Sequence, residues 1–238
     1  MVFTFFFFVL CFCLKLFFVQ KNLSKTVFPQ TCTAIRYVCV ISVLIASILL
    51  ASVAINYVPV AIECTNGDLN TSHFCVTHAR QLLDNISSIG PRPIGSDNGK
   101  LAIQMLKSEL EAINTSSNSN LDFTFELQNF TYYDYYEGQN IVARLSTKPN
   151  STAILINSHF DSTPKGPGAS DDAINCAIML EVLKTIMTRR EFKMYHDIII
   201  LFNDVEESVY LGSQEFINYH RWANDIVAFL NLEAMGSG

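Results

Sequence analysis

Hydrophobic and polar positions follow three different rhythms along the chain, and each rhythm predicts a different kind of element. From Tyr37 to Ile62 no residue is charged, and the run YVCVISVLIASILLASVAINYVPVAI lacks the polar face of a soluble helix. At about 1.5 Å per residue the run matches a hydrocarbon core of about 30 Å, which predicts one transmembrane helix over 37–62. Beyond Glu63 helical and extended segments alternate. Helical spacing covers 73–88, and IGPRPIGSDNGK (89–100) breaks it as a surface loop should. An amphipathic helix follows over 100–113, then a polar hinge over 114–120, then an extended strand over 123–136 whose tyrosines suit sheet packing.

From there the period is short and apolar. Asn140–Leu145 and Ala153–Asn157 predict neighbouring strands joined by a polar turn over 148–151. After AILIN come a helix over about 172–189, the strand DIIILFN (197–203), a helix over about 211–219 and the strand IVAFLNL (226–232). Continuous apolar strands are buried on both faces by helices. The predicted fold class is therefore α/β, a three-layer sandwich around a mostly parallel or mixed central sheet, preceded by a transmembrane helix. The domains read as a cytosolic N-terminal region over 1–36, the membrane helix over 37–62 and a lumenal domain over 63–238.

Charge gives that orientation. Lys15, Lys21, Lys25 and Arg36 precede the apolar run with no acidic residue among them, and the sequence after it is acidic, so the N-terminal side faces the cytosol. Sequons at Asn70, Asn85, Asn114, Asn129 and Asn150 all fall on the lumenal side. In an oxidising lumen Cys64 and Cys75 are placed to pair. Met1–Val19 is also apolar, but Lys15 and the lack of a basic leader or small-residue cleavage site make it a poor signal peptide. It fits a short membrane segment forming a hairpin with the next, an interfacial element, or a stretch added in error by the gene model. The net charge of -6 gives no reason to expect nucleic acid as a partner.

The candidate chemistry lies where strands end. His159-Phe160-Asp161 follows one strand, Asp171-Asp172 opens a helix after a flexible loop, Glu206-Glu207 follows a second strand, and Glu233 follows a third. Ligands of such sheets collect outside the carboxyl ends of the strands. In an extended segment His159 and Asp161 share one side, so the aspartate can orient the ring. Each feature has an ordinary explanation alone: a surface histidine, a helix cap, a solvated acidic pair. Jointly they suit a two-metal hydrolase, with Asp171 on the loop side as the bridging carboxylate and Asp172 bracing the loop or helix start. Of the two adjacent glutamates, one can bind an ion and the other can act as general base toward water.

These residues resemble the zinc aminopeptidase family with a co-catalytic two-zinc site. Within it, NSHFDSTPKGPGASDDAINCAIMLEVL and IGPRPIGS resemble the endoplasmic reticulum metallopeptidase branch, also called Felix-ina. The resemblance covers roughly 37–238 and implies the zinc aminopeptidase fold. It implies that His159, Asp171 and Glu233 hold one zinc, that Asp171 and Glu207 hold the other, that Glu206 is the general base and that Asp161 orients His159. The implied protein is an exopeptidase of the endoplasmic reticulum membrane acting in the lumen on peptide or protein substrates, with lipid around its helix. The family pattern also needs a later histidine for the second zinc, and none follows His220. The expectation is a piece of a longer protein with incomplete metal ligation. A non-catalytic ectodomain and a glutaminyl-cyclase-type acyltransferase are the competing readings.

Overall fold

A computed structural model describes residues 31–56, 64, 73–117, 119–132, 135–146 and 151–235. The chain forms two units, 1–60 and 61–238. The first contains helix α1, Thr31–Asn56. Among the described residues no helix is long and apolar enough to cross a membrane, so the span expected over 37–62 is not found among them. Residues 57–62 and the apolar stretch over 1–19 lie outside the described residues, as do the sequons at Asn70 and Asn150. Asn85, Asn114 and Asn129 are exposed.

The second unit opens with Cys64 bonded to Cys75, as the sequence suggested. Cys75 caps helix α2 (Val76–Ser88), its sulfur accepting from the His78 amide. Helix α3 spans Asp97–Thr115 and starts ahead of the predicted Lys100, because Ser96 caps it by accepting from the Gly99 amide. Ala102, Leu106, Leu110 and Ile113 form its buried stripe. The loop between these helices is anchored in the interior, contrary to the surface expectation. Arg92 has no exposed surface, and its guanidinium donates to the carbonyls of Phe160 (2.7 Å), Pro167 (2.7 Å), Gly90 (3.0 Å) and Ile86 (3.2 Å). A planar group with five donors suits such a cluster of carbonyls.

Strands β1 (Asp122–Tyr132) and β2 (Tyr136–Ser146) form an antiparallel hairpin, which splits the single strand predicted over 123–136. β3 (Ala153–His159), β4 (Asp197–Asn203) and β5 (Ile226–Asn231) complete a mixed sheet of order β1-β2-β4-β3-β5. β2 and β3 are therefore not neighbours. β4 lies between them, antiparallel to β2 and parallel to β3. Its unbroken apolar run needs burial on both faces, and a central position supplies it.

Helix α4 (Ile174–Met187) packs with α2 and α3 over one face of the sheet around Leu106, Leu110, Leu180 and Phe202. The short α5 (Glu206–Val209) and α6 (Leu211–Tyr219) follow β4. Phe216 of α6 and Trp222 close the opposite face over Val142, Leu155 and Leu201. The result is the expected layered α/β arrangement with one thinner layer. β5 departs from the prediction of two-sided burial: Val227, Phe229 and Leu230 are 56%, 61% and 51% exposed. Among the described residues it stands at the edge of the sheet, paired with β3 alone.

Candidate metal centre

β3, β4 and β5 run parallel, so their carboxyl ends meet at one edge of the sheet. His159 closes β3 and is 1% exposed. Its Nδ1 lies 3.1 Å from the Asp161 carbonyl oxygen and 3.4 Å from Asp161 Oδ1. Its Nε2 points the other way, 3.1 Å from Asp171 Oδ1, 3.5 Å from Glu233 Oε1 and 3.8 Å from Glu206 Oε2. Donor atoms of His159, Asp171 and Glu233 all lie within 4.8 Å of one another.

Asp161 ties this edge together. One of its oxygens accepts from the Glu206 amide at 3.0 Å and the other from the Glu207 amide at 3.1 Å. The chain reaches those amides through Val205, which has φ 61° and ψ 34°. A β-branched residue in the left-handed region is strained, and the surroundings must hold it there. The Asp204 carboxylate accepts from the Val205 amide at 2.9 Å and from the Gln139 amide at 3.1 Å. The tight turn brings Glu206 back toward the histidine.

The loop carrying Asp171 is shaped by two features. Gly168 has φ +54°, and a Cβ there would lie 2.5 Å from the Asp171 carbonyl oxygen and 2.6 Å from Ser162 Cβ. Arg92 fixes the same loop through Pro167 and the β3 extension through Phe160. The Asp171-Asp172 peptide bond is cis. Asp172 is fully buried and accepts from Ser158 Oγ at 2.6 Å and from Asn175 Nδ2, so it braces the loop against β3 and the start of α4.

The carboxylates dominate the local field. Burial opposes charge on His159, yet Asp161, Glu206 and Asp172 raise its pKa to about 10. Burial pushes Glu206 upward, His159 pulls it down, and Glu233, Asp161 and Glu207 push it up again. Glu207 is likewise raised, by burial and then by Asp171. A cavity of about 540 Å³ opens beside the cluster, walled by Leu155, Leu201, Phe216 and Ile226 and bordered by Glu206 and Glu233.

Residues 140–238 match the family described as Peptidase family M28. The chain carries an M28 peptidase domain. It is 40% identical over 178 residues to mouse endoplasmic reticulum metallopeptidase 1, an alignment that takes in 69% of this chain and 20% of that protein. The chain thus spans about a fifth of the length of that relative. Among solved structures, the Legionella pneumophila LapA aminopeptidase aligns with a TM-score of 0.61 at 20% identity, over 76% of this chain and 49% of that one. A Porphyromonas gingivalis glutaminyl cyclase aligns at 0.56 and 21% identity, over 68% of this chain and 60% of that one. At such identities the likeness is one of fold.

The donors of the M28 domain suit zinc. Ligand atoms about 2.0–2.2 Å from a tetrahedral ion stand about 3.4 Å apart, and the 3.1 and 3.5 Å separations from His159 Nε2 bracket that value. Imidazole nitrogen and carboxylate oxygen are both zinc donors. The structure thus brings together His159, Asp171, Glu233 and Glu206, with Asp161 behind the ring. Glu207 is not among the three clustered donors. His78 is paired with Glu181 and His220 with Glu126, while His196 contacts Thr152. Sequence reasoning missed Arg92, seen only as part of a loop, and the asparagines Asn157, Asn203 and Asn231, one near the end of each parallel strand. That recurrence at three strand ends was the available signal.

Proposed function

We propose that the chain is a zinc-dependent exopeptidase of the aminopeptidase type, held at the endoplasmic reticulum membrane with its M28 domain in the lumen. The observation that carries this reading is the convergence of His159 Nε2, Asp171 and Glu233 on one point, with a Glu206 oxygen 3.8 Å from the same nitrogen. His159, Asp171 and Glu233 would hold one zinc, and Asp171 with Glu207 would contribute to a second. When bound, zinc supplies a Lewis acid that polarises the substrate carbonyl and acidifies water.

The remaining chemistry belongs to this chain. Glu206 takes the proton from the attacking water and returns it to the leaving amine, and burial, which raises its pKa above the ordinary carboxylate value, favours that exchange. Asp161 holds the Nδ1 side of His159 and leaves Nε2 free for the metal. It also fixes Glu206 through the backbone. The apolar cavity beside the carboxylates suits an apolar side chain next to the scissile bond. Membrane association is supported by the exposed Tyr37, Ile41, Leu44, Ile48 and Leu49 of α1, which call for an apolar cover, and by the name of the mouse relative.

The test is release of N-terminal amino acids from an N-terminally diverse peptide library by the zinc-loaded full chain. Release that falls at least about 100-fold in Glu206→Gln supports the proposal. Cyclisation of N-terminal glutamine without amino-acid release would favour the cyclase chemistry instead. Zinc binding without turnover of either kind would favour a non-catalytic ectodomain.

A further inference from the structure

We propose that Asn157 and Asn231 form an amide relay that positions the Glu233 carboxylate for metal binding; the inference rests on the zinc reading above. Asn231 Nδ2 donates to Glu233 Oε2 at 3.1 Å, and Asn157 Nδ2 donates to Asn231 Oδ1 at 2.6 Å. The other glutamate oxygen, Oε1, is the one that faces His159 Nε2. An ionised carboxylate only accepts, so Asn231 must turn its NH2 toward Glu233 and its oxygen toward Asn157. Asn157 must then donate in turn. The anion at the end of the relay fixes the orientation of both amides.

The sheet places these residues for the task. Asn157 and Asn231 are register partners across β3 and β5, and the Leu232 amide donates to the Asn157 carbonyl just past the strand. Further along, the Met235 amide donates to the Ser170 carbonyl, next to Asp171. The backbone on both sides of Glu233 is therefore held. The glutamate side chain itself is 46% exposed, and its freely rotating torsions need a second contact to aim it. Asn231 supplies that contact.

Asn157 is the unexpected member. It lies at 7% exposure in a strand whose preceding residues are apolar, and its Oδ1 has no hydrogen-bond partner. A buried amide with an orphaned acceptor is a costly occupant of a strand, and a leucine would pack there without that cost. Its donor is what the relay uses. A metal-binding carboxylate whose second oxygen is hydrogen-bonded keeps its orientation, and losing such a partner typically weakens metal binding by about 10–100-fold.

The test measures zinc affinity of the full chain in mild detergent by competition with a chromophoric chelator, alongside the visible absorption of the cobalt-substituted protein. Asn231→Leu should weaken zinc by about 10–100-fold and alter the cobalt spectrum, with thermal unfolding of the metal-free chain unchanged. Asn157→Leu should weaken zinc less, because Asn231 survives with a looser orientation. The double variant should bind no more weakly than Asn231→Leu alone, as members of one chain of contacts behave. Unchanged affinity and spectrum in Asn231→Leu overturn the proposal, and so do single effects that multiply in the double variant. If Asn231→Leu does not fold, Asn157→Leu decides by the same two readouts. A parent chain that binds no zinc removes the metal reading and the relay with it, whereas a parent that binds and a variant that binds equally removes the relay alone.

Discussion

Gly168 and Arg92 shape the metal loop together: a Cβ at Gly168 would lie 3.3 Å from Arg92 Nη2, and Arg92 donates to the neighbouring Pro167 carbonyl. Gly168→Ala would force a Cβ against the Asp171 carbonyl and Ser162 in a left-handed backbone. We expect a loss of about 1–3 kcal/mol in urea unfolding, together with weaker zinc binding; a neutral variant would contradict the packing described. Arg92→Met removes the donors to Phe160, Pro167, Gly90 and Ile86 while filling similar space. Buried carbonyls left unpaired cost about 1–3 kcal/mol each, so a loss of about 3 kcal/mol or more is expected by the same measurement. His159, Glu206, Glu207 and Glu233 were legible in the sequence because each follows an apolar run, and Asp171 because it stands between a flexible loop and an apolar helix. Arg92 was not, since the carbonyls it serves come from two loops some 70 positions apart in sequence. The Asn157–Asn231 contact was hidden for the same reason: it depends on which strands pair.

At the level of elements, alternation marked β1 though not its end, short apolar runs marked β2 to β5, and the helical period marked α2, α3, α4 and α6. Strand order was harder to read. Short spacing made β2 and β3 look like partners, but β4 carries the most continuous apolar sequence and takes the centre between them. Burial was also misjudged for β5, whose apolar sequence resembles that of β4 although it has one neighbour and exposed side chains. An uncharged edge strand with exposed apolar side chains invites pairing with other chains. Val227, which is half-exposed and does not border the cavity, is the position at which to blunt it. Val227→Lys should raise the monomeric fraction in light scattering without changing zinc affinity. No change in association would mean that the edge is not what drives it.

The molecule as a whole concentrates carboxylates at one end of its sheet, and stability should carry that signature. Burial, with the Asp161 charge, pushes the Asp204 carboxyl from 3.8 up to about 7. The folded chain then binds this proton more tightly than the unfolded chain, so stability falls as pH rises from about 4 to about 7. His159 acts in the same direction over a higher window: its raised pKa gives stability that is complete below 6.5 and lost as pH climbs through about 10. The metal-free chain should therefore melt at a lower temperature at pH 8 than at pH 5. Asp204→Asn should show a smaller drop between those two values, whatever its effect at pH 5. Equal drops in parent and variant would remove Asp204 as a source of the slope.

The central claim is that this field of carboxylates and one imidazole binds zinc as a unit while Glu206 remains free for proton transfer. Equilibrium zinc titration of the full chain and of His159→Ala, Glu233→Ala and Glu206→Gln tests it most directly. The parent should bind zinc, His159→Ala and Glu233→Ala should lose at least about 100-fold, and Glu206→Gln should keep near-parental affinity. A parent that binds no zinc, or ligand variants that bind it as the parent does, would contradict the account.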